Sequence, residues 1–98
     1  MHGRFAARPG EGDALAAILL EAAELLDDFD DCLLYVISRS PEDPDAVWVT
    51  EAWTTKEAHD ASLQDERVRR VIERAMPLIV GAPETTTLRP VGGKGLPI

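Results

Sequence analysis

Two stretches of this chain leave it little conformational freedom. Residues 32–39 (Cys-Leu-Leu-Tyr-Val-Ile-Ser-Arg) and 46–53 (Ala-Val-Trp-Val-Thr-Glu-Ala-Trp) are rich in β-favouring side chains. Each is apolar on both faces of the strand it predicts. In the second, Val47, Val49, Glu51 and Trp53 point one way, and Ala46, Trp48, Thr50 and Ala52 the other. In the first, Leu33, Tyr35 and Ile37 oppose Cys32, Leu34 and Val36. An antiparallel sheet with one wet face alternates apolar and polar residues instead. A chain of 98 residues has room for one core, and its helices can cover one face of one sheet. The other face would leave Trp48, Leu34 and Val36 in water, and such patches mark interfaces. The expectation is a homodimer whose sheets pack face to face. The competing expectation is that loop 40–45 or the C-terminal tail folds over that face.

The remaining segments supply the rest of the layer. Residues 2–7 read as a short strand closed by Pro9-Gly10. Leu15, Ile18, Leu19, Ala22, Leu25 and Leu26 recur at steps of three and four, the period of an amphipathic helix. Asp27, Asp28, Asp30 and Asp31 oppose the dipole at a helix C-terminus, so this helix should stop near Leu26 or Asp27. Pro41 and Pro44 make 40–45 a loop, which gives the hairpin a long turn. Thr54-Thr55-Lys56-Glu57 fits a capping box with Thr54 as N-cap, opening a short helix from Thr55 to about Ser62. Asp65 caps a further helix with the stripe Val68, Val71, Ile72, Ala75 and Met76, ended by Pro77. Thr85 to Arg89 predicts the last strand, and Val91 to Ile98 a Gly-rich loop. The order strand, helix, strand, strand, helix in two pieces, strand is the split βαβ, ferredoxin-like α+β pattern with an antiparallel sheet. It forms a single domain over residues 1–98.

Composition narrows the function classes. Asp plus Glu is 18 against 10 Lys plus Arg, a net charge of −8. That surface repels phosphate backbones and anionic lipid, which argues against nucleic acid and membrane partners. The single cysteine, Cys32, cannot close an internal disulfide. Met1-His2-Gly3-Arg4-Phe5 has no apolar signal core, and no run approaches membrane-spanning length, so a cytoplasmic protein is expected.

The segment Glu51-Ala-Trp53-Thr-Thr-Lys-Glu-Ala-His59 resembles the signature of antibiotic biosynthesis monooxygenase-type domains. Pro9-Gly10-Glu11-Gly12, Cys32-Leu-Leu-Tyr35, Ser40-Pro-Glu-Asp-Pro44, Gly81-Ala-Pro83 and Gly92-Gly-Lys-Gly95 add to the resemblance, which spans essentially the whole chain. It implies a dimeric α+β barrel, quinol monooxygenase-like, that uses O2 with neither metal nor flavin. The implied substrates are electron-rich aromatics such as quinols and anthrone-like polyketides. It also implies a cleft between sheet and helices with Trp53 inside. The chain departs from the pattern at three places. Asp31 stands where a Gly is common, Ser62 where a second His often follows, and Val49 where some oxygenase members carry Asn. Haem-degrading relatives use a histidine on the last helix, and no His follows His59 here.

The chemistry-bearing residues are few. An imidazole is the side chain suited to taking a proton at working pH, and His59 flanks the small helix face Ala58, Ala61 and Ser62, which suits a proton acceptor reaching into a cleft. Trp53 can wall an aromatic pocket. These two are the candidate catalytic residues. Phe5, Tyr35, Val49, Glu51, Ser62, Ile72 and Met76 are the candidate pocket lining. Glu51, if buried, needs a partner, and Arg4, Arg70 or Arg74 is the expected one. Arg70 or Arg74 could also stabilise a substrate anion. The scattered carboxylates and two distant histidines match no metal-ligand spacing, and Gly92-Gly-Lys-Gly95 is not a phosphate loop. Cys32 in an apolar strand reads as an inert packing residue. The expected activity is a cofactor-independent monooxygenase on a small aromatic substrate and O2. The alternatives are a non-catalytic dimeric ligand-binding module and a proton-transfer isomerase of the same fold.

Overall fold

The structure, a computed structural model, describes residues 1–95. The elements are β1 (His2–Ala6), α1 (Gly12–Leu26), β2 (Cys32–Ser40), β3 (Asp43–Trp53), α2 (Lys56–Ser62), α3 (Glu66–Ala75) and β4 (Glu84–Thr86), with a 3-10 turn at Met76–Leu78. The strands form one sheet in the order β2-β3-β1-β4, and every neighbouring pair is antiparallel. This is the ferredoxin-like order, with β1 and β2 flanking β3 as a split βαβ unit. The tail residues 96–98 lie outside the described residues. Among those described, no helix is long and apolar enough to cross a membrane.

The helices pack on one face. Leu15, Ala16, Leu19, Ala22 and Leu26 form the buried stripe of α1, at the spacing of a core-facing helix. Leu15, Ala16 and Leu19 meet Val47 and Val49 of β3, together with Ala75 and Ala7. Phe5, Tyr35 and Ile37 pack against that cluster while partly buried. The stripe of α3 is narrower than its sequence suggests. Val68, Val71 and Ala75 are buried, whereas Ile72 is 40% and Met76 60% exposed. Arg74 of α3 reaches Glu21 of α1 at 2.8 Å.

The hairpin turn is short rather than long. β2 runs to Ser40 and β3 begins at Asp43, leaving Pro41 and Glu42 as the turn. The slack appears inside β3: Ser40 pairs with Asp43 and Arg39 with Val47, so residues 44–46 have no partner on β2. Pro44, which has no N–H to give a ladder, sits in that stretch. A second irregularity changes the face of a side chain. Cys32 pairs with Trp53 and Leu34 with Ala52, so Leu33 is an extra residue in β2. Below this bulge Cys32 shares the helix-side face with Trp53, not the outer face with Leu34 and Val36 as strict alternation predicts.

The last strand is displaced and shorter than residues 85–89. β4 covers Glu84–Thr86, and Thr86 already pairs with His2 at the end of β1. Little of β1 remains for Thr87 to Arg89 to pair with, and they leave the ladder. Before β4, Ile79 bridges Ala7, and the Val80 N–H bonds the Ala6 carbonyl at 2.7 Å.

Candidate active site

The site is built at the C-terminal end of β3. Glu51 and Trp53 lie two apart on the strand, so both face the helix layer. Tyr35 lies directly across from Glu51 and Cys32 across from Trp53. β3 is pinned at this end on both edges. Met1 and Glu51 exchange backbone bonds of 2.7 and 2.9 Å. The Thr54 hydroxyl donates to Asp31 Oδ1 at 2.7 Å, and its N–H to the Asp31 carbonyl at 2.9 Å.

α2 then carries His59 back over Trp53. Its N-cap is Thr55, one residue later than the capping-box reading: the Thr55 hydroxyl accepts from the Ala58 N–H at 3.0 Å. Thr54 is engaged with Asp31 instead, and Glu57 no longer stands at the third helical position. The inward side of α2 is Ala58, His59 and buried Ser62, while Ala61 is exposed. Ser62 donates its hydroxyl to the His59 carbonyl at 2.6 Å, fixing the last turn.

These elements bring one carboxylate, one imidazole and one indole together. Glu51 Oε1 accepts from Trp53 Nε1–H at 2.9 Å and lies 3.1 Å from His59 Nε2. Its side chain is only 6% exposed, and that of His59 27%. The His59 ring stands edge-on to Trp53 at 5.6 Å, and Phe29 meets the same indole edge-on at 6.4 Å. The other ring nitrogen, Nδ1, lies 3.1 Å from Asp60 Oδ1. Hydrogen bonding to Lys56 first, and to His59 second, holds the Asp60 carboxyl below the usual carboxylate range, so Asp60 is a standing acceptor. A buried carboxylate needs such donors. The expected arginines do not supply them: Arg4 pairs with Asp43, Arg70 with Glu66 and Arg74 with Glu21. Arg70 and Arg74 are thus engaged on the helical surface rather than at this site.

A cavity of about 560 Å³ opens over this group. Glu51, Trp53, Lys56, Glu57, His59 and Asp60 line it from β3 and α2, and Met1 and residues 87–90 from the other side. A second, smaller cavity of about 300 Å³ lies behind, between α1 and β2, lined by Phe29, Cys32 and Tyr35 among others. Burial, reinforced by the charge of Glu51, pushes the Tyr35 hydroxyl well above its ordinary range. Burial likewise raises the Cys32 thiol, although a weak bond to the Leu34 carbonyl partly opposes this. Both therefore stay protonated.

Of the residues expected at the site, Glu51, Trp53 and His59 line the main cavity. Tyr35 lines the smaller one. Phe5 and Val49 belong to the core, Ser62 is buried within α2, and Ile72 and Met76 face outward on α3 and the following turn. Met1, Phe29 and the segment 87–90 were not anticipated. Phe29 alone left a sequence signal, a lone aromatic ring between the acidic pairs at 27–28 and 30–31. Among the described residues, no three His, Cys, Asp or Glu side chains gather as a metal-ligand set.

The chain fold has close counterparts among solved structures. A candidate antibiotic biosynthesis monooxygenase from Chloroflexus aurantiacus superposes with a TM-score of 0.82 at 42% identity, covering 97% of this chain and 94% of its own. A Mycobacterium tuberculosis structure reaches 0.82 at 20% identity, over 96% and 95% of the two chains. A Deinococcus radiodurans structure reaches 0.72 at 24%, over 94% and 96%. These last two show the shared fold alone. No curated protein matches the chain. Residues 1–74 match the family described as antibiotic biosynthesis monooxygenase, and the chain belongs to that family.

Proposed function

We propose that this protein is a cofactor-independent monooxygenase that oxidises quinol or anthrone-like aromatic substrates with O2 and works as a homodimer. The observation that carries the reading is the convergence of a buried carboxylate, an imidazole and an indole on one cavity. Its volume falls within the range of small-molecule sites.

In this mechanism a planar substrate packs against the Trp53 indole. A substrate hydroxyl gives its proton to the Glu51–His59 pair, leaving an electron-rich anion. Asp60 at Nδ1 fixes the orientation of the ring while the pair holds the proton. The anion passes an electron to O2, and the two radicals recombine with one C–O bond. On an anthrone, loss of water then turns the ring CH2 into a carbonyl; on a quinol the same overall balance, one O2 in and one water out, gives a hydroxyquinone. One oxygen atom stays on carbon and the other leaves as water. The CH2 gives up four electrons and O2 takes four, so no outside reductant enters. The protein supplies orientation and the proton acceptor.

The dimer rests on the outer face of the sheet. There Val36 is 42% exposed, Leu34 and Trp48 are half-buried, and no helix among the described residues covers them. His2 stacks on Trp48 at 5.3 Å and bonds Thr50 at 3.0 Å, but it leaves Val36 bare. A second copy packed on this face satisfies the two-sided apolar pattern of β2 and β3.

The test is oxygen uptake by metal-stripped protein across a panel of quinols and anthrones, with product masses recorded. Uptake above autoxidation, with one oxygen atom gained in the product, is expected. No uptake on any member of the panel contradicts the reading.

A further inference from the structure

The walls of the main cavity are electrostatically unequal. On the β3 and α2 side stand Glu51, Glu57 and Asp60, with Lys56 as the one fixed cation. Lys56 is committed to Asp60 at 2.7 Å, and that carboxylate is also shared with His59. This wall offers an acceptor for a substrate proton and disfavours a substrate group that arrives already ionised, such as a carboxylate. The opposite wall is the segment Thr87, Leu88, Arg89 and Pro90, which leaves the ladder where β1 ends. Arg89 is its charged residue, and no carboxylate among the described residues pairs with it. The guanidinium can bind a carboxylate in fork geometry. In a chain of net charge −8, an anionic ligand has few other places to be held.

We propose that Arg89 is the specificity-determining residue of this cavity: it receives a carboxylate at the far end of the aromatic substrate and so turns the hydroxyl-bearing end toward Glu51 and His59. The substrate class is then an aromatic acid rather than a neutral quinol. This rests on the reading of the cavity as the substrate site. It adds an orienting contact that the expected arginines, Arg70 and Arg74, cannot make from the outer side of α3. A substrate bound in reverse would set its carboxylate against Glu51, Glu57 and Asp60, so the same charge pattern that favours one pose rejects the other.

The experiment uses redox-inert, product-like probes: an anthraquinone carboxylate and the matching neutral carboxamide, titrated by calorimetry against the full-length protein. Wild type is expected to bind the carboxylate more tightly, by about two- to fivefold for a contact to an exposed guanidinium, with the preference shrinking as salt is raised. Arg89→Gln is expected to abolish the preference, chiefly through weaker carboxylate binding, and Arg89→Lys to keep part of it. If both probes bind wild type equally, or the preference survives in Arg89→Gln, the role of Arg89 is overturned while the cavity remains a binding site. If neither probe binds wild type, the reading of the cavity fails and this inference fails with it.

Discussion

His59 Nε2 stands 3.1 Å from Glu51 Oε1, joining the first helical turns after β3 to a carboxylate buried beneath them. The contact closes a loop in the chain and in the chemistry. It holds α2 over the strand end, and it places a titratable ring at the mouth of the cavity with a fixed acceptor behind it. Because Trp53 Nε1–H shares the same oxygen at 2.9 Å, the acid, the base and the aromatic wall cannot move independently.

Trp53→Phe keeps an aromatic ring but removes the indole donor. Glu51 then loses one of its hydrogen bonds while staying buried. The variant should be less stable by about 1–3 kcal/mol, the cost of leaving a charged group short of a partner. Urea unfolding followed by far-UV circular dichroism reads this directly.

The two threonines before α2 should separate cleanly. Thr55→Ala removes the N-cap acceptor of Ala58 N–H and should cost about 1 kcal/mol, with His59 less well held as a result. Thr54→Ala breaks the hydroxyl contact to Asp31 but leaves the cap intact. Thermal melts of both, with histidine NMR shifts as the second readout, distinguish a cap at 55 from one at 54.

Tyr35 is the chain's single tyrosine, so tyrosinate absorbance reports on it alone. Burial and the Glu51 charge raise its ionisation above the ordinary value, which is about 10 for the free side chain. The folded state therefore holds the proton longer than the unfolded one. The stability this contributes is fully present below pH ~10 and is lost as pH climbs toward the folded value. Native protein should show no tyrosinate signal at pH ~10, and Tyr35→Phe should soften the alkaline loss of stability.

Val36→Asp puts a charge into the exposed apolar patch of the outer sheet face without touching the helix-side core. Sedimentation at micromolar concentration should return a dimer for wild type and a monomer for the variant. A monomeric wild type contradicts the proposed assembly and leaves the chemistry of the cavity unaffected.

Much of the fold was legible because contrast along the chain was strong. The α1 stripe repeats apolar residues against acidic ones, and its observed end falls at Leu26. The ferredoxin-like order followed from element types alone. What failed, failed where contrast was absent. With both faces of β2 apolar, alternation does not reveal the extra residue at Leu33, and strict alternation puts Cys32 on the outer face rather than beside Trp53. Two adjacent threonines are equally good caps, and only the backbone path selects Thr55. Ile72 and Met76 share the period of the α3 stripe but stay exposed among the described residues. Glu51 was expected to find an arginine because sequence spacing shows no through-space pairing. Its partners are instead Trp53 on the same strand and His59 across one turn.

The most direct measurement is oxygen uptake on a dihydroxyanthrone by metal-stripped protein, wild type against Glu51→Gln, which keeps shape and hydrogen bonding but removes the charge. Turnover above autoxidation is expected in wild type, with a loss of about 100-fold or more in the variant, the scale of a displaced acid–base group. Equal rates in the two proteins, with the variant folded, would contradict the proposed mechanism.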